Sequence, residues 1–134
     1  PPRSTLFPYT TLFRSKPYIV KHDYWYPDEA VSLYAHACCV VSLECHSPIL
    51  ALSNGTPAFY IRQKEDTIKG QMYYDLGFND WIFEIDETTG SQISDQLMTV
   101  YNAYESTQSY LKAGMQKSEK LLRAGAVIVK DILY

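Results

Sequence analysis

Apolar and polar positions along residues 16–134 follow two alternating periods. Helical spacing begins near Pro27, Ile49, Ile68 and Thr89. Between these segments lie three predicted strands, at residues 39–43, 58–61 and 81–85, of which the first is a continuous apolar stretch. Continuous runs of this length are typical of strands buried on both faces. The order α-β-α-β-α-β-α, with short connections, predicts an α/β fold with a parallel, Rossmann-like sheet covered on both faces.

Local signals set the limits of several elements. Proline suits the first turn of a helix, and Pro27 is followed by an apolar face that includes Leu33. Gly77 is a stop signal for the helix that starts near Ile68. From about Thr89 the pattern is helical to the C-terminus, and we expect a break near Gly114. Residues 18–20 are expected to be the end of a strand.

Composition excludes several classes of protein. The chain has 134 residues, of which 46% are hydrophobic and 20% charged, so it is neither disordered nor collagen-like. Its net charge of −3 comes without a basic cluster, which disfavours nucleic acid as a partner. No apolar run approaches the roughly 20 residues of a transmembrane helix. We therefore expect a cytoplasmic protein.

Three cysteines lie within eight residues, at Cys38, Cys39 and Cys45. Their number is odd and two are adjacent, which argues against a disulfide framework. No spacing typical of a zinc site is present, so no metal is predicted. The sequence predicts reduced cysteines in the core of a cytosolic protein.

Residues 1–15, PPRSTLFPYTTLFRS, differ from the rest of the chain. They contain a near-repeat without helical or strand periodicity, and they resemble a translated sequencing adapter. We interpret this segment as non-native and residues 16–134 as a partial α/β domain. The natural protein is then expected to begin upstream, with an N-terminal lobe that is missing here.

The candidate chemistry lies where predicted strands end, because parallel sheets bind ligands at the carboxyl ends of their strands. In residues 44–47, His46 and Ser47 stand where a strand passes into a helix. Free amides at such a helix start bind phosphate or carboxylate, and a histidine there can exchange a proton. The alternative is that Ser47 only caps the helix and His46 is a surface residue.

The second loop, residues 62–69, offers Arg62 and Lys69. Arg62 directly follows a strand and can reach an anion with its planar guanidinium, or it can be a surface residue. Lys69 lies three residues after Asp66 and can simply pair with it. No Gly-x-Gly-x-x-Gly or nucleophile-elbow motif is present, which disfavours a nicotinamide dehydrogenase or a serine hydrolase.

Residues 42–57 resemble the polysaccharide pyruvyl transferase family. The family pattern is Ser-x-Arg-x-His-Ser, then an apolar helix containing alanine, then Gly-x-Pro. The positions that match it in order and spacing are Ser42, His46, Ser47, Ala51, Gly55 and Pro57. The resemblance extends from residue 16 to about residue 110. It implies the C-terminal lobe of a two-lobed fold like that of the GT-B glycosyltransferases, here with a long helical C-terminus.

The resemblance also implies an activity. Members transfer a pyruvyl group from phosphoenolpyruvate to sugar hydroxyls, forming a ketal in bacterial surface-polysaccharide synthesis. His46 takes the position of the family's histidine, as donor-binding residue and acid. The amides near Ser47, with help from Arg62, would hold the anionic groups of the donor. Phosphoenolpyruvate and a saccharide acceptor are the implied partners, with no further cofactor.

Glu44 departs from the family pattern, because it stands where the family has arginine. An anion there should repel a doubly anionic donor by several kcal/mol when both are desolvated. Three explanations remain open: Arg62 or Lys69 takes over, Glu44 acts as a base or accepts from a sugar hydroxyl, or the donor differs. The alternative functions are a GT-B-like glycosyltransferase that uses a nucleotide-sugar and a non-catalytic binding lobe. A fragment of this kind is expected to be inactive by itself.

Overall fold

The computed structural model describes residues 19–133, and residues 1–18, including the adapter-like segment, lie outside this range. The helices are α1 (Pro27–Ala35), α2 (His46–Ser53), α3 (Gln71–Leu76), α4 (Gly90–Asn102) and α5 (Tyr104–Leu133). The strands are β1 (Val40–Ser42), β2 (Ala58–Arg62) and β3 (Ile82–Glu84). Short 3-10 turns at Lys64–Asp66 and Asn79–Trp81 complete the chain.

The three strands form one parallel sheet in the order β1-β2-β3. Val40 lies opposite Ala58, and Tyr60 opposite Ile82. Helix α2 connects β1 to β2, and α3 connects β2 to β3, so the predicted α/β alternation is confirmed. Because the strands are parallel, the loops after β1 and β2 leave the same edge of the sheet.

The predicted burial on both faces holds for β2 but is wrong for β1. Ala58, Phe59 and Tyr60 are fully buried, and successive side chains point to opposite faces. In β1, by contrast, Val41 remains 43% exposed. Among the described strands β1 has a single neighbour, so it is an edge strand whose apolar residues are only partly covered.

The expectation of core cysteines also needs correction. Cys38 is exposed, whereas Cys39 and Cys45 are half-buried. Burial raises the pKa of the Cys39 thiol to about 12, so this residue behaves as a small apolar side chain. Cys39 and Cys45 pack against the hydrophobic core, whereas Cys38 faces solvent.

An aromatic cluster holds α5 against the segment between α3 and β3. Phe78 stacks on Trp81 with ring centroids 5.0 Å apart, and Tyr110 meets both rings edge-on. Gly114 lies against the ring of Phe78, since a Cβ atom at Gly114 would be 2.2 Å from Cζ of Phe78. The predicted helix break near Gly114 is wrong: the interruption is at Ala103, and Gly114 permits close packing instead.

Three smaller predictions fail because their side chains face solvent. Ile19 is 98% exposed and not in a strand, and Tyr18 lies outside the described residues. Leu33 of α1 is half-exposed, whereas Ala30 on the same helix is buried. Ile68 is largely exposed because α3 begins only at Gln71. In each case the residue belongs to an apolar pattern in the sequence, but residues 19–133 offer no surface that covers it.

Two buried tyrosines provide a test of this core. The Tyr73 hydroxyl donates to the carbonyl of Ala58 at 3.0 Å, whereas no group within residues 19–133 stands in hydrogen-bonding geometry to the Tyr60 hydroxyl. We expect Tyr73→Phe to lower the free energy of unfolding by about 1 kcal/mol, and Tyr60→Phe to leave it unchanged or raise it. Urea denaturation of both variants measures this. Equal losses in both would contradict the assignment of Tyr60 as unpaired.

Candidate functional site

The carboxyl end of β1 is built around the carboxylate of Glu44. Its Oε2 accepts hydrogen bonds from the backbone amides of His46, at 2.9 Å, and Ser47, at 3.2 Å. The Ser42 hydroxyl fixes the preceding turn, since it accepts from the Glu44 amide and donates to the Glu44 carbonyl. Glu44 thereby occupies the amides at the start of α2 that the sequence assigned to a substrate anion.

The same carboxylate orients the imidazole of His46. Oε1 of Glu44 lies 2.5 Å from Nδ1 of His46, and the His46 side chain is 79% exposed. A carboxylate on Nδ1 fixes the ring orientation and leaves Nε2 for exchange with a substrate. This arrangement is suited to proton transfer.

Glu44 itself stays ionised at neutral pH. Burial would raise the pKa of its carboxyl, but the hydrogen bonds from the His46 amide, the His46 ring and the Ser47 amide outweigh this effect. Its pKa is therefore below the ordinary value. A carboxylate that accepts so many hydrogen bonds is a weak base, and its geometry is that of a positioning group.

The other residues of the family-like segment have structural contacts. The Ser47 hydroxyl accepts from the Tyr34 hydroxyl at 3.1 Å and so ties α2 to α1. Gly55, with φ of +81°, makes the left-handed turn between α2 and β2. The carbonyl of Pro57 accepts from the amide of Val40 and aligns β2 with β1. These contacts hold the start of α2 in place beside the sheet.

Arg62 is engaged at the other side of this edge. Its Nε lies 2.8 Å from Oε1 of Glu84, the residue opposite it in β3, and its Nη1 donates to the Thr67 carbonyl. Thr67 has a φ of +47°, an unfavourable backbone conformation for a β-branched residue. A Cβ on Gly70 would lie 2.8 Å from Cδ of Arg62. Arg62 is thus held by its own loop and by β3.

Lys69 is the cation whose charge reaches the β1 end. Its Nζ donates to Oδ1 of Asp66 at 3.1 Å, which confirms the expected pairing of these two residues. That bond and the charge of Asp66 raise the pKa of Lys69, and the charge of Glu44 adds to the effect. The structure therefore pairs His46 with Glu44, places Lys69 where its charge acts on Glu44, and directs Arg62 toward Glu84.

Cys45 is the site residue that sequence reasoning missed. Its Sγ lies 3.6 Å from Oε1 of Glu44 and 3.8 Å from Nδ1 of His46. Burial and the charge of Glu44 raise the pKa of the thiol, so it is protonated at neutral pH. The sequence signal for Cys45 was its place in a run of three consecutive residues of metal-binding type, at the end of a strand. A search for zinc motifs, whose ligands are spaced apart, does not find such a run.

Asp66 makes stability depend on pH in the acid range. The backbone amide of Gln63 lowers the pKa of Asp66 to about 2, from an ordinary 3.8, with further help from Lys69. The contribution of Asp66 to stability is fully present above the ordinary pKa and is lost as pH falls toward 2.

We expect Asp66→Asn to reduce the loss of stability on acidification, measured by urea denaturation between these pH values. The neighbouring Glu65→Gln variant is the control, and an unchanged acid profile in Asp66→Asn would contradict the assignment.

No protein-family model matches this chain, and neither a curated protein nor a solved structure matches it. Among the helices of residues 19–133, none combines the length and the apolar character needed to cross a membrane. The side chains at the end of β1 are therefore the features of this chain from which a function can be inferred.

Proposed function

We propose that this chain is a lobe of a cytoplasmic transferase that moves a pyruvyl group from phosphoenolpyruvate to saccharide hydroxyls in surface-polysaccharide synthesis. The observation that carries the proposal is the Glu44–His46 pair at the carboxyl end of β1. It combines a histidine at a family-like position with a carboxylate that orients it. The proposed parent fold is two-lobed and GT-B-like, with the acceptor held between the lobes.

The chemistry requires one proton donor and one proton acceptor. In the proposed reaction the enol carbon of phosphoenolpyruvate takes a proton from His46, and a sugar hydroxyl attacks the adjacent carbon. That hydroxyl returns its proton to His46. A second hydroxyl then attacks the same carbon, the bond from this carbon to the phosphate oxygen breaks, and the departing phosphate takes the proton of the second hydroxyl as the ketal closes. A histidine suits both transfers because it titrates near neutral pH. Glu44 remains ionised throughout as the positioning residue.

Charge makes this site a weak binder of the donor in the absence of other ions. The α2 amides that suit an anion already hold the Glu44 carboxylate. Arg62 is paired with Glu84, and Lys69 shares its charge with Asp66. Phosphoenolpyruvate must therefore compete with an internal carboxylate, and we expect low affinity.

A non-catalytic binding lobe is the second candidate. The observation that favours it is the same occupation of the α2 amides by Glu44, because a helix start satisfied by its own chain needs no ligand. A glycosyltransferase would also require these amides for a nucleotide-sugar diphosphate. The donor that binds, together with the effect of His46 on it, separates the three functions.

The test is a calorimetric titration of phosphoenolpyruvate into the chain, with uridine diphosphate glucose as the comparison and a chelator present. We expect saturable binding of phosphoenolpyruvate, weakened about three- to tenfold in His46→Gln, the range of one neutral hydrogen bond. His36→Gln is the matched control, since His36 is an exposed histidine at the end of α1. Binding of the nucleotide-sugar alone would support the glycosyltransferase, and binding of neither would support the non-catalytic lobe.

A further inference from the structure

We propose that Glu44, Cys45 and His46 form a binding site for a thiophilic divalent cation, with Zn²⁺ as the best fit. The three side chains offer one carboxylate oxygen, one sulfur and one imidazole nitrogen, all within 4.8 Å of one another. They are consecutive residues between β1 and the first turn of α2. The turn closed by Ser42 brings them together without any contribution from a distant part of the chain.

The separations fit one face of a zinc tetrahedron. Metal–ligand distances of about 2.0–2.3 Å imply roughly 3.6 Å between sulfur and nitrogen and roughly 3.3 Å between nitrogen and oxygen. The sulfur is 3.8 Å from Nδ1 of His46 and 3.6 Å from Oε1 of Glu44. Only the nitrogen–oxygen pair, now at 2.5 Å, must open, by less than about 1 Å. The metal ion would lie between these two atoms, which are hydrogen-bonded to each other in its absence.

The donor types decide which cation fits. Calcium and magnesium prefer oxygen ligands, so one carboxylate does not make a site for them. Sulfur with imidazole selects zinc and neighbouring transition metals. Three protein ligands leave a fourth position for water or for an anion, and the exposed imidazole shows that this side faces solvent.

The metal site would also strengthen binding of the anionic donor, an inference that rests on the proposed function. A dication bound to one carboxylate and one thiolate turns a negatively charged position into a neutral one with an open coordination site. It would thus serve where the resembling family has arginine. Bound through Nδ1, His46 would keep its proton on Nε2 and could donate a hydrogen bond from there to the anionic donor.

The test uses Co²⁺ as a spectroscopic probe of the metal-free chain, followed by displacement with Zn²⁺. We expect one equivalent of Co²⁺ to give the visible bands of a tetrahedral site and a thiolate-to-metal charge-transfer band. Cys45→Ser should abolish the charge-transfer band, and His46→Gln should weaken binding at least about tenfold, the effect that even outer-shell changes reach. Cys38→Ser and His36→Gln are matched controls, because each removes an exposed residue of the same type outside the site.

Circular dichroism of each variant shows that a loss of metal is not a loss of fold. Absence of binding in the folded chain would overturn the proposal, as would a charge-transfer band that survives Cys45→Ser. Binding that Cys38→Ser weakens as much as Cys45→Ser would also overturn it. The readout does not involve phosphoenolpyruvate, so failure of the metal site and failure of pyruvyl transfer are distinguishable.

Discussion

Gly114→Ala is expected to lower the free energy of unfolding by about 1–3 kcal/mol, the usual cost of overpacking a core. The new methyl group would lie 2.2 Å from Cζ and 2.4 Å from Cε1 of Phe78. Phe78 has little freedom to move, because it stacks on Trp81 and meets Tyr73 and Tyr110 edge-on. Either α5 shifts away from the core or the aromatic cluster loses its packing. Urea denaturation measures the loss.

Gly125→Ala is the matched control within the same helix. Within the part of the chain that the structure describes, no atom lies within 4 Å of the position that a Cβ would take at Gly125, and the residue is exposed. There the substitution only removes the conformational freedom of glycine, and we expect stability to rise by about 0.5–1 kcal/mol. Equal effects at both positions would mean that α5 does not depend on close approach to Phe78.

The contrast between these glycines shows what periodicity can predict. The alternation of helices and strands followed from local spacing, and the left-handed turn at Gly77 followed from residue type. Gly114 was expected to interrupt a helix, because sequence alone does not distinguish a glycine that breaks a helix from one that admits a neighbouring ring. The exposure of Val41 was missed for a similar reason, since an apolar run does not reveal that its strand lies at the edge of the sheet.

The candidate site was predictable in place but not in arrangement. A strand end followed by a helix start located His46 and Ser47. The return of the Glu44 carboxylate onto the α2 amides depends on the turn at Ser42, which no residue pattern specifies. The pairing of Arg62 with Glu84 requires the register of β2 against β3, a contact between residues far apart in sequence.

Glu44→Arg is expected to raise the affinity for phosphoenolpyruvate about 10- to 100-fold in the presence of a chelator. The substitution releases the amides of His46 and Ser47, which then face solvent at a helix start and can bind an anion. It also supplies a guanidinium, and a hydrogen bond to a charged group contributes about 1.5–3 kcal/mol. Calorimetry on the variant and the unaltered chain gives the ratio of affinities.

Asp131→Arg makes the same change of net charge at an exposed position in the last turn of α5, and it should leave the affinity for phosphoenolpyruvate unchanged. An equal gain of affinity in both variants would mean that long-range electrostatic attraction alone explains the effect. No gain in folded Glu44→Arg would mean that the α2 amides are not a donor site, which contradicts pyruvyl transfer by this lobe. If the Zn²⁺-loaded, unaltered chain binds phosphoenolpyruvate as tightly as Glu44→Arg does, then a bound cation and an arginine can each supply the positive charge that the donor requires. The Glu44 carboxylate, which repels phosphoenolpyruvate in the metal-free chain, would then be a ligand of the cation that binds it.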